Sequence, residues 1–197
     1  MVKTYNFLTL TCITYIYIMC GIAAFLGDAN AYKIIYNGLV QLQNRGYDSA
    51  GISVIHNDKF ITHKYASEPN KSALDLLEKE NKYLQSTIGI GHTRWATHGA
   101  KTDINSHPHH SFDEKFSVVH NGIIENFQDI KMFLAEKGIQ MISQTDTEII
   151  TNLLAYYYNE NKSIEMSIKK VTEQSKGTWG LCILCKDEPN KIYCTRH

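Results

Sequence analysis

Proline is scarce, with three residues in 197, and no repeat or low-complexity tract accompanies it. Nothing therefore marks an interdomain linker, and one domain is expected. An excess of charge of either sign is also missing: 20 basic and 20 acidic residues, spread along the chain, leave a formal net charge of zero. That excludes a nucleic-acid-binding stripe and a polybasic membrane patch, so neither nucleic acid nor membrane is expected as a partner. A disulfide framework is lacking as well. The five cysteines, Cys12, Cys20, Cys182, Cys185 and Cys194, are odd in number and not spaced as one, which favours a reducing compartment and a cytoplasmic location. Cys182 and Cys185 form a C-x-x-C pair, but they lie on a predicted strand, where positions three apart face opposite sides. Two such thiols cannot share a metal, and they read as small buried apolar side chains.

What is present is a hydrophobic fraction of 43% against 20% charged residues, the balance of a soluble globular domain with a sizeable core. The start of the chain needs a separate reading. No charged residue occurs from Thr4 through Gly27, and Lys3 precedes the run, as in a signal peptide or a single span. Thr9, Thr11 and Thr14 dilute that run, and a cleavage site near Ala23-Ala24 would discard Cys20. Residues 1–19 are read as a leader or misassigned start, and residues 20–197 as the domain.

Apolar periodicity predicts a strand over 21–26, then a helix carrying Tyr32, Ile35, Tyr36, Leu39 and Leu42 that ends near Asn44. Short strands over 52–55 and 60–62 join at Asn57-Asp58 as a hairpin. Leu74, Leu77 and Leu84 mark a more polar helix, and 88–92 a strand whose glycines signal close approach of another element. A strand over 116–120 is expected to run out at Asn121-Gly122. A helix from about Glu125 stops at Gly138, a capping box at Thr145 and Glu148 opens the next, and Ser163 caps a third. Strands over 180–184 and 191–194 pair around 187–190. This mixed order of hairpins and helices argues for an α+β layered domain.

Three polar clusters sit at predicted strand ends, where a pocket would collect them. In the segment from Gly91 to Gly99, Arg94 can grip a carboxylate through two parallel bonds, or it can be a solvated loop arginine. Asn121 and the N–H of Gly122 can donate together to a developing oxyanion, or can form a simple turn. Asp146 can bind an ammonium, or only favour a helix dipole. Upstream stands Met19-Cys20-Gly21-Ile22. If Cys20 is the first residue of the mature chain, it carries both a thiol nucleophile and an α-amino base, whose ordinary pKa is about 7.7–8.0. An internal cysteine has no such base. The histidines His92, His98, His107, His109, His110 and His120 invite a zinc reading, but no H-E-x-x-H pattern accompanies them, and loop hydrogen bonding and packing is preferred. No metal and no cofactor is expected.

Taken in order, Met19-Cys20-Gly21-Ile22, Arg45-Gly46-Tyr47-Asp48-Ser49-Ala50-Gly51, His92-Thr93-Arg94-Trp95-Ala96-Thr97-His98-Gly99, Asn105-Ser106-His107-Pro108-His109, His120-Asn121-Gly122-Ile123-Ile124-Glu125-Asn126 and Thr145-Asp146-Thr147-Glu148 closely resemble the glutaminase domain of the glucosamine-6-phosphate synthases. These are the isomerizing glutamine:fructose-6-phosphate aminotransferases, within the class II glutamine amidotransferases. The tyrosine in Arg-Gly-Tyr-Asp, Trp95 and Thr97-His98-Gly99 set the chain apart from the asparagine synthetase and purine branches.

The resemblance implies an N-terminal nucleophile hydrolase fold, a four-layer αββα sandwich with two antiparallel sheets between helical layers, here C-terminally truncated. It implies that Cys20 attacks the side-chain amide of L-glutamine and forms a thioester, with Asn121 and Gly122 holding the oxyanion. Arg94 would take the substrate carboxylate and Asp146 the ammonium, while Thr97 and His98 line the site. Arg45 and Trp95 fall in family loops near the nucleophile and the ammonia exit. The sugar isomerase domain of the full-length enzyme does not follow in this sequence. The expected function is therefore the ammonia-producing half-reaction of hexosamine biosynthesis. The alternative is a catalytically silent fragment, at most a glutamine-binding or regulatory module.

Overall fold

The computed structural model describes residues 3–5, 20–80, 86–95 and 99–197. Nine strands are described: β1 (Lys3–Tyr5), β2 (Gly21–Leu26), β3 (Ser49–His56), β4 (Lys59–Ala66), β5 (Ile88–Arg94), β6 (His109–His110), β7 (Phe116–Ile124), β8 (Gly177–Cys185) and β9 (Ile192–Arg196). The described helices are α1 (Ala31–Leu42), α2 (Ala73–Glu80), α3 (Phe127–Glu136), α4 (Asp146–Asn161) and α5 (Ile164–Gln174). They build two antiparallel sheets, one ordered β2-β5-β3-β4 and the other β1-β9-β8-β7-β6.

Alternation along each strand sorts side chains into three apolar layers. Phe25, Ile52 and Val54 face helices α1 and α2, meeting Tyr32, Ile35, Leu39 and Leu77. Their strand neighbours Ile55, Ile88 and Ile90 face the other sheet, against Val119, Cys182, Leu184 and Ile192. On the far side Phe116, Val118, Leu181 and Ile183 pack on Leu134, Leu153 and Ile168 of α3, α4 and α5. The result is helix, sheet, sheet, helix. Each side chain buried this fully contributes roughly 1.5–3 kcal/mol of transfer free energy.

Local chemistry starts and stops the elements where the pattern predicts. Asn30 caps α1, its Oδ1 accepting from Lys33 N at 3.1 Å, and Ser163 caps α5 by accepting from Met166 N at 3.3 Å. Asn57 and Asp58 both take positive φ, 49° and 58°, as a two-residue hairpin turn with right-handed strand twist requires. In β5 a Cβ on Gly91 would come within 2.4 Å of Ile35 Cγ2, so the missing side chain lets α1 lie close on the sheet.

Three expectations change. β7 does not end before Asn121-Gly122; it runs on to Ile124, with Asn121 opposite Gly180 and Gly122 opposite Trp179. The dipeptide is strand, because β8 supplies a partner that local turn propensity does not foresee. At the start of α4, Thr145 Oγ1 accepts from Glu148 N at 3.3 Å, but the Glu148 carboxylate takes Ile142 N and Ser143 N instead of the Thr145 N–H. Half of the capping box forms, and Glu148 ties down the preceding turn. The thiols of Cys182 and Cys185 do face opposite sides, but Cys182 Sγ lies 3.3 Å from Cys194 Sγ, its direct partner across β8 and β9. Leu84 and Cys12 lie outside the described residues.

Candidate active site

One end of the space between the sheets is polar. Cys20 immediately precedes β2, His92 and Arg94 close β5 on the inter-sheet face, and Asn121 continues the inter-sheet face of β7. The backbone entering β2 is held by Thr93, whose Oγ1 accepts from Gly21 N at 3.1 Å. Cys20 Sγ in turn accepts the N–H of Trp95 at 3.1 Å. Burial pushes the Cys20 thiol above its ordinary pKa, while the Trp95 N–H and the positive charge of Arg94 act in the opposite sense.

Asn121 reaches across from the second sheet. Its Nδ2 donates to the carbonyl oxygen of Cys20 at 2.5 Å, and its Oδ1 lies 2.8 Å from His92 Nε2. Gly122 beside it has φ of +140°, and a Cβ there would stand 2.0 Å from the Thr178 carbonyl oxygen. Only glycine fits this backbone so close to β8.

Arg94 is 4% exposed, and its carbonyl accepts from Asp48 N at 3.1 Å. Burial lowers the guanidinium pKa, with Cys20, Asp146 and Asp48 opposing the shift, so these four groups share one electrostatic neighbourhood. Asp48 is itself buried and ion-paired with Lys101 at 2.5 Å. Asp146 opens α4, one oxygen accepting from Ile124 N at 3.0 Å and the other 3.8 Å from His120 Nδ1. The exposed rings of Tyr47 and Trp95 meet edge to face at 5.2 Å beside Cys20.

Behind the site lies a buried polar block. The His92 and His107 rings approach to 4.3 Å between centroids, and His107 meets His109 at 4.9 Å. Thr147 Oγ1 sits 2.7 Å from His107 Nε2 and 3.0 Å from His120 Nδ1, and Thr145 Oγ1 is 3.0 Å from His109 Nε2. Burial lowers the pKa of all four imidazoles, that of His92 to about 3. They are neutral in the neutral range.

Of the residues singled out from sequence, the structure brings together Cys20, Asn121, Gly122, Arg94, Asp146 and the backbone of Trp95. The backbone of Arg45 lies in a 3-10 turn leading to Asp48; its side chain, with Thr97 and His98, lies outside the described residues. Sequence reasoning missed His92, Thr93 and Thr147 as supports of the site. The alternation Ile88, Ile90, His92, Arg94 was the available signal, since it sets His92 on the same face as Arg94.

Two antiparallel sheets packed between helical layers, with Cys20 at the head of a strand, define the class: an N-terminal nucleophile hydrolase fold. The model of the glutamine amidotransferase domain family matches residues 77–189, and the chain belongs to that family.

The chain is 48% identical over 178 residues to a glutamine–fructose-6-phosphate aminotransferase (isomerizing) of Caldanaerobacter subterraneus subsp. tengcongensis, covering 90% of this chain and 28% of that protein. It is 41% identical, with the same coverage, to the protein of that name from Clostridium perfringens. This chain thus spans about 28% of the length of the curated relatives it matches. Among solved structures it resembles the B. subtilis glutamine phosphoribosylpyrophosphate amidotransferase complexed with ADP and GMP, with a TM-score of 0.68 at 22% identity, over 89% of this chain and 41% of that one. It also resembles an allosteric regulatory enzyme of purine biosynthesis, with a TM-score of 0.69 at 26% identity, over 85% and 35% of the respective chains.

Proposed function

We propose that this chain is the glutamine-hydrolysing domain of a glucosamine-6-phosphate synthase, supplying ammonia for amino-sugar synthesis. The observation that carries the reading is the convergence of Cys20 Sγ, the Asn121 carboxamide and Arg94 at one end of the inter-sheet space. Cys20 Sγ attacks the side-chain amide carbon of L-glutamine. The carbonyl oxygen becomes an oxyanion held by the second Nδ2 proton of Asn121 and by Gly122 N–H. Collapse expels ammonia and leaves a γ-glutamyl thioester, which water hydrolyses to glutamate, returning the thiol. The α-amino group of Cys20, when it is the first residue, passes the thiol proton to the departing ammonia. Arg94 takes the α-carboxylate of glutamine and Asp146 its α-ammonium; by family resemblance Trp95, Thr97, His98 and Arg45 are assigned to substrate binding as well.

In the full-length enzyme the ammonia goes to a sugar isomerase domain that forms glucosamine 6-phosphate from fructose 6-phosphate. The odd number and irregular spacing of the cysteines support a cytoplasmic setting. Among the described residues no helix is long and apolar enough to cross a membrane. In this reading residues 1–19 are a leader or an upstream start, and the working domain begins at Cys20.

The test pairs mass spectrometry of the N-terminus with glutamate release, for the 197-residue chain and for one beginning at Cys20. Glutamine turnover only with Cys20 first, lost in Cys20→Ala, is the expected result. A chain beginning at Cys20 that binds glutamine without turning it over would replace this reading with that of a silent binding module.

A further inference from the structure

We propose that His92 is a positioning residue for the glutaminase reaction: through Nε2–H it fixes the carboxamide of Asn121 so that one amide proton is left aimed at the oxyanion. The inference rests on the reading of Asn121 given above, and it follows from counting donors and acceptors. The Asn121 atom 2.5 Å from the Cys20 carbonyl oxygen must be the NH2 group, because a carbonyl can only accept. Its other terminal atom is therefore the oxygen, and this atom faces His92 Nε2 at 2.8 Å. A bond there requires the proton on Nε2, so the tautomer of His92 is set by the Cys20 carbonyl on the far side of Asn121.

The amide then has two protons and one committed oxygen. One proton goes to Cys20 O, and the second is free to meet the substrate. Without the His92 donor, only the bond from Nδ2 to Cys20 O opposes a rotation of the Asn121 plane, and the second amide proton is held less firmly on the place where a negative charge develops.

His92 suits this task because it cannot move or charge easily. It is 1% exposed, it packs on the His107 ring, and His107 is anchored in turn by Thr147. Burial holds its pKa at about 3, so the imidazole stays a neutral donor throughout the range in which an amine base works. The same alternation that brings Arg94 to the site places His92 one step behind it on β5.

The variants to compare are His92→Met, which keeps bulk and loses the donor, and His92→Gln, whose Nε2 can stand where the imidazole N–H stood. They are measured in whichever form of the chain hydrolyses glutamine. His92→Met is expected to lower kcat by about tenfold or more, short of the ~10²–10³-fold that loss of an oxyanion donor itself costs. Its KM for glutamine should stay within a factor of about three, since ground-state binding is untouched. His92→Gln should recover most of the rate, and 15N spectra of the wild-type protein should report the Nε2–H tautomer. An unimpaired His92→Met overturns the inference, as does an Nδ1–H tautomer, or a His92→Gln no better than His92→Met with KM raised in both. If His92→Met does not fold, His92→Gln and the tautomer decide. Cys20→Ala and Asn121→Ala run beside them: wild-type rates there sink the oxyanion reading itself, whereas inactivity there with His92→Met unimpaired sinks only the role of His92.

Discussion

The imidazole of His107 lies on that of His92, 4.3 Å between ring centroids and tilted by 38°, with both rings buried. Two cations could not occupy that geometry, so the fold holds both neutral. The consequence is acid sensitivity. The ordinary His pKa is 6.5 and the folded value of His92 is about 3, so between those values the unfolded chain binds the proton and the native chain does not. The contribution of neutral His92 is therefore present above about pH 6.5 and is lost as pH drops, by about 2 kcal/mol at pH 5. His107 and His109 are shifted in the same direction by burial. Urea unfolding at pH 7.5, 6 and 5 should show a midpoint that declines steeply; equal midpoints would mean the rings are not buried in neutral form.

Gly122→Ala is expected to be severe. The Cβ would meet the Thr178 carbonyl at 2.0 Å, at a φ of +140°, where no rotamer change relieves the clash. A loss of about 3 kcal/mol or more is expected, together with loss of glutamine hydrolysis, because the displaced strand carries Asn121. Thermal unfolding and glutamate release check both, and a variant with wild-type melting would contradict the strand register.

Thr93→Val tests the mooring of the backbone that carries Cys20 into β2. Removing the hydroxyl leaves the Gly21 N–H without its 3.1 Å acceptor in a fully buried position. A cost of about 1–3 kcal/mol is expected. Activity should fall further than that of the equally isosteric Thr151→Val, whose hydroxyl bonds to Thr147 O within α4. Equal activities in the two variants would show that Thr93 does not position the site.

The Cys182–Cys194 contact predicts a specific oxidation product. A mild peroxide should take two electrons and two protons from these thiols, giving one disulfide and two waters, because Cys194 is held below its ordinary thiol pKa by Cys182. Cys185, on the opposite face and pushed up to about 11 by burial, should stay reduced. Peptide mapping without reductant checks this, and a Cys182–Cys185 or Cys185–Cys194 link would refute the strand assignment.

Much of the domain was legible in the chain. The strand over 21–26, the helix beginning beside Tyr32, the hairpin at Asn57-Asp58 and the caps at Thr145 and Ser163 all follow from periodicity and local hydrogen-bonding chemistry. Element lengths were less legible: the hairpin strands run over Ser49–His56 and Lys59–Ala66, longer than the apolar run suggests. Polar residues such as Ser49 and Lys64 extend them because a neighbouring strand accepts the backbone, an effect no local window contains.

The sequence by itself determined the residue types, their order and the alternation that turns every second side chain of β2, β5 and β7 toward the same space. Those properties are local and survive any arrangement of the elements. Only the tertiary structure decided that Asn121, 101 residues from Cys20, bonds the carbonyl of that cysteine, and that His92 stands behind it. Contacts between sheets depend on how two twisted layers pack, and a single chain position carries no record of what lies opposite it.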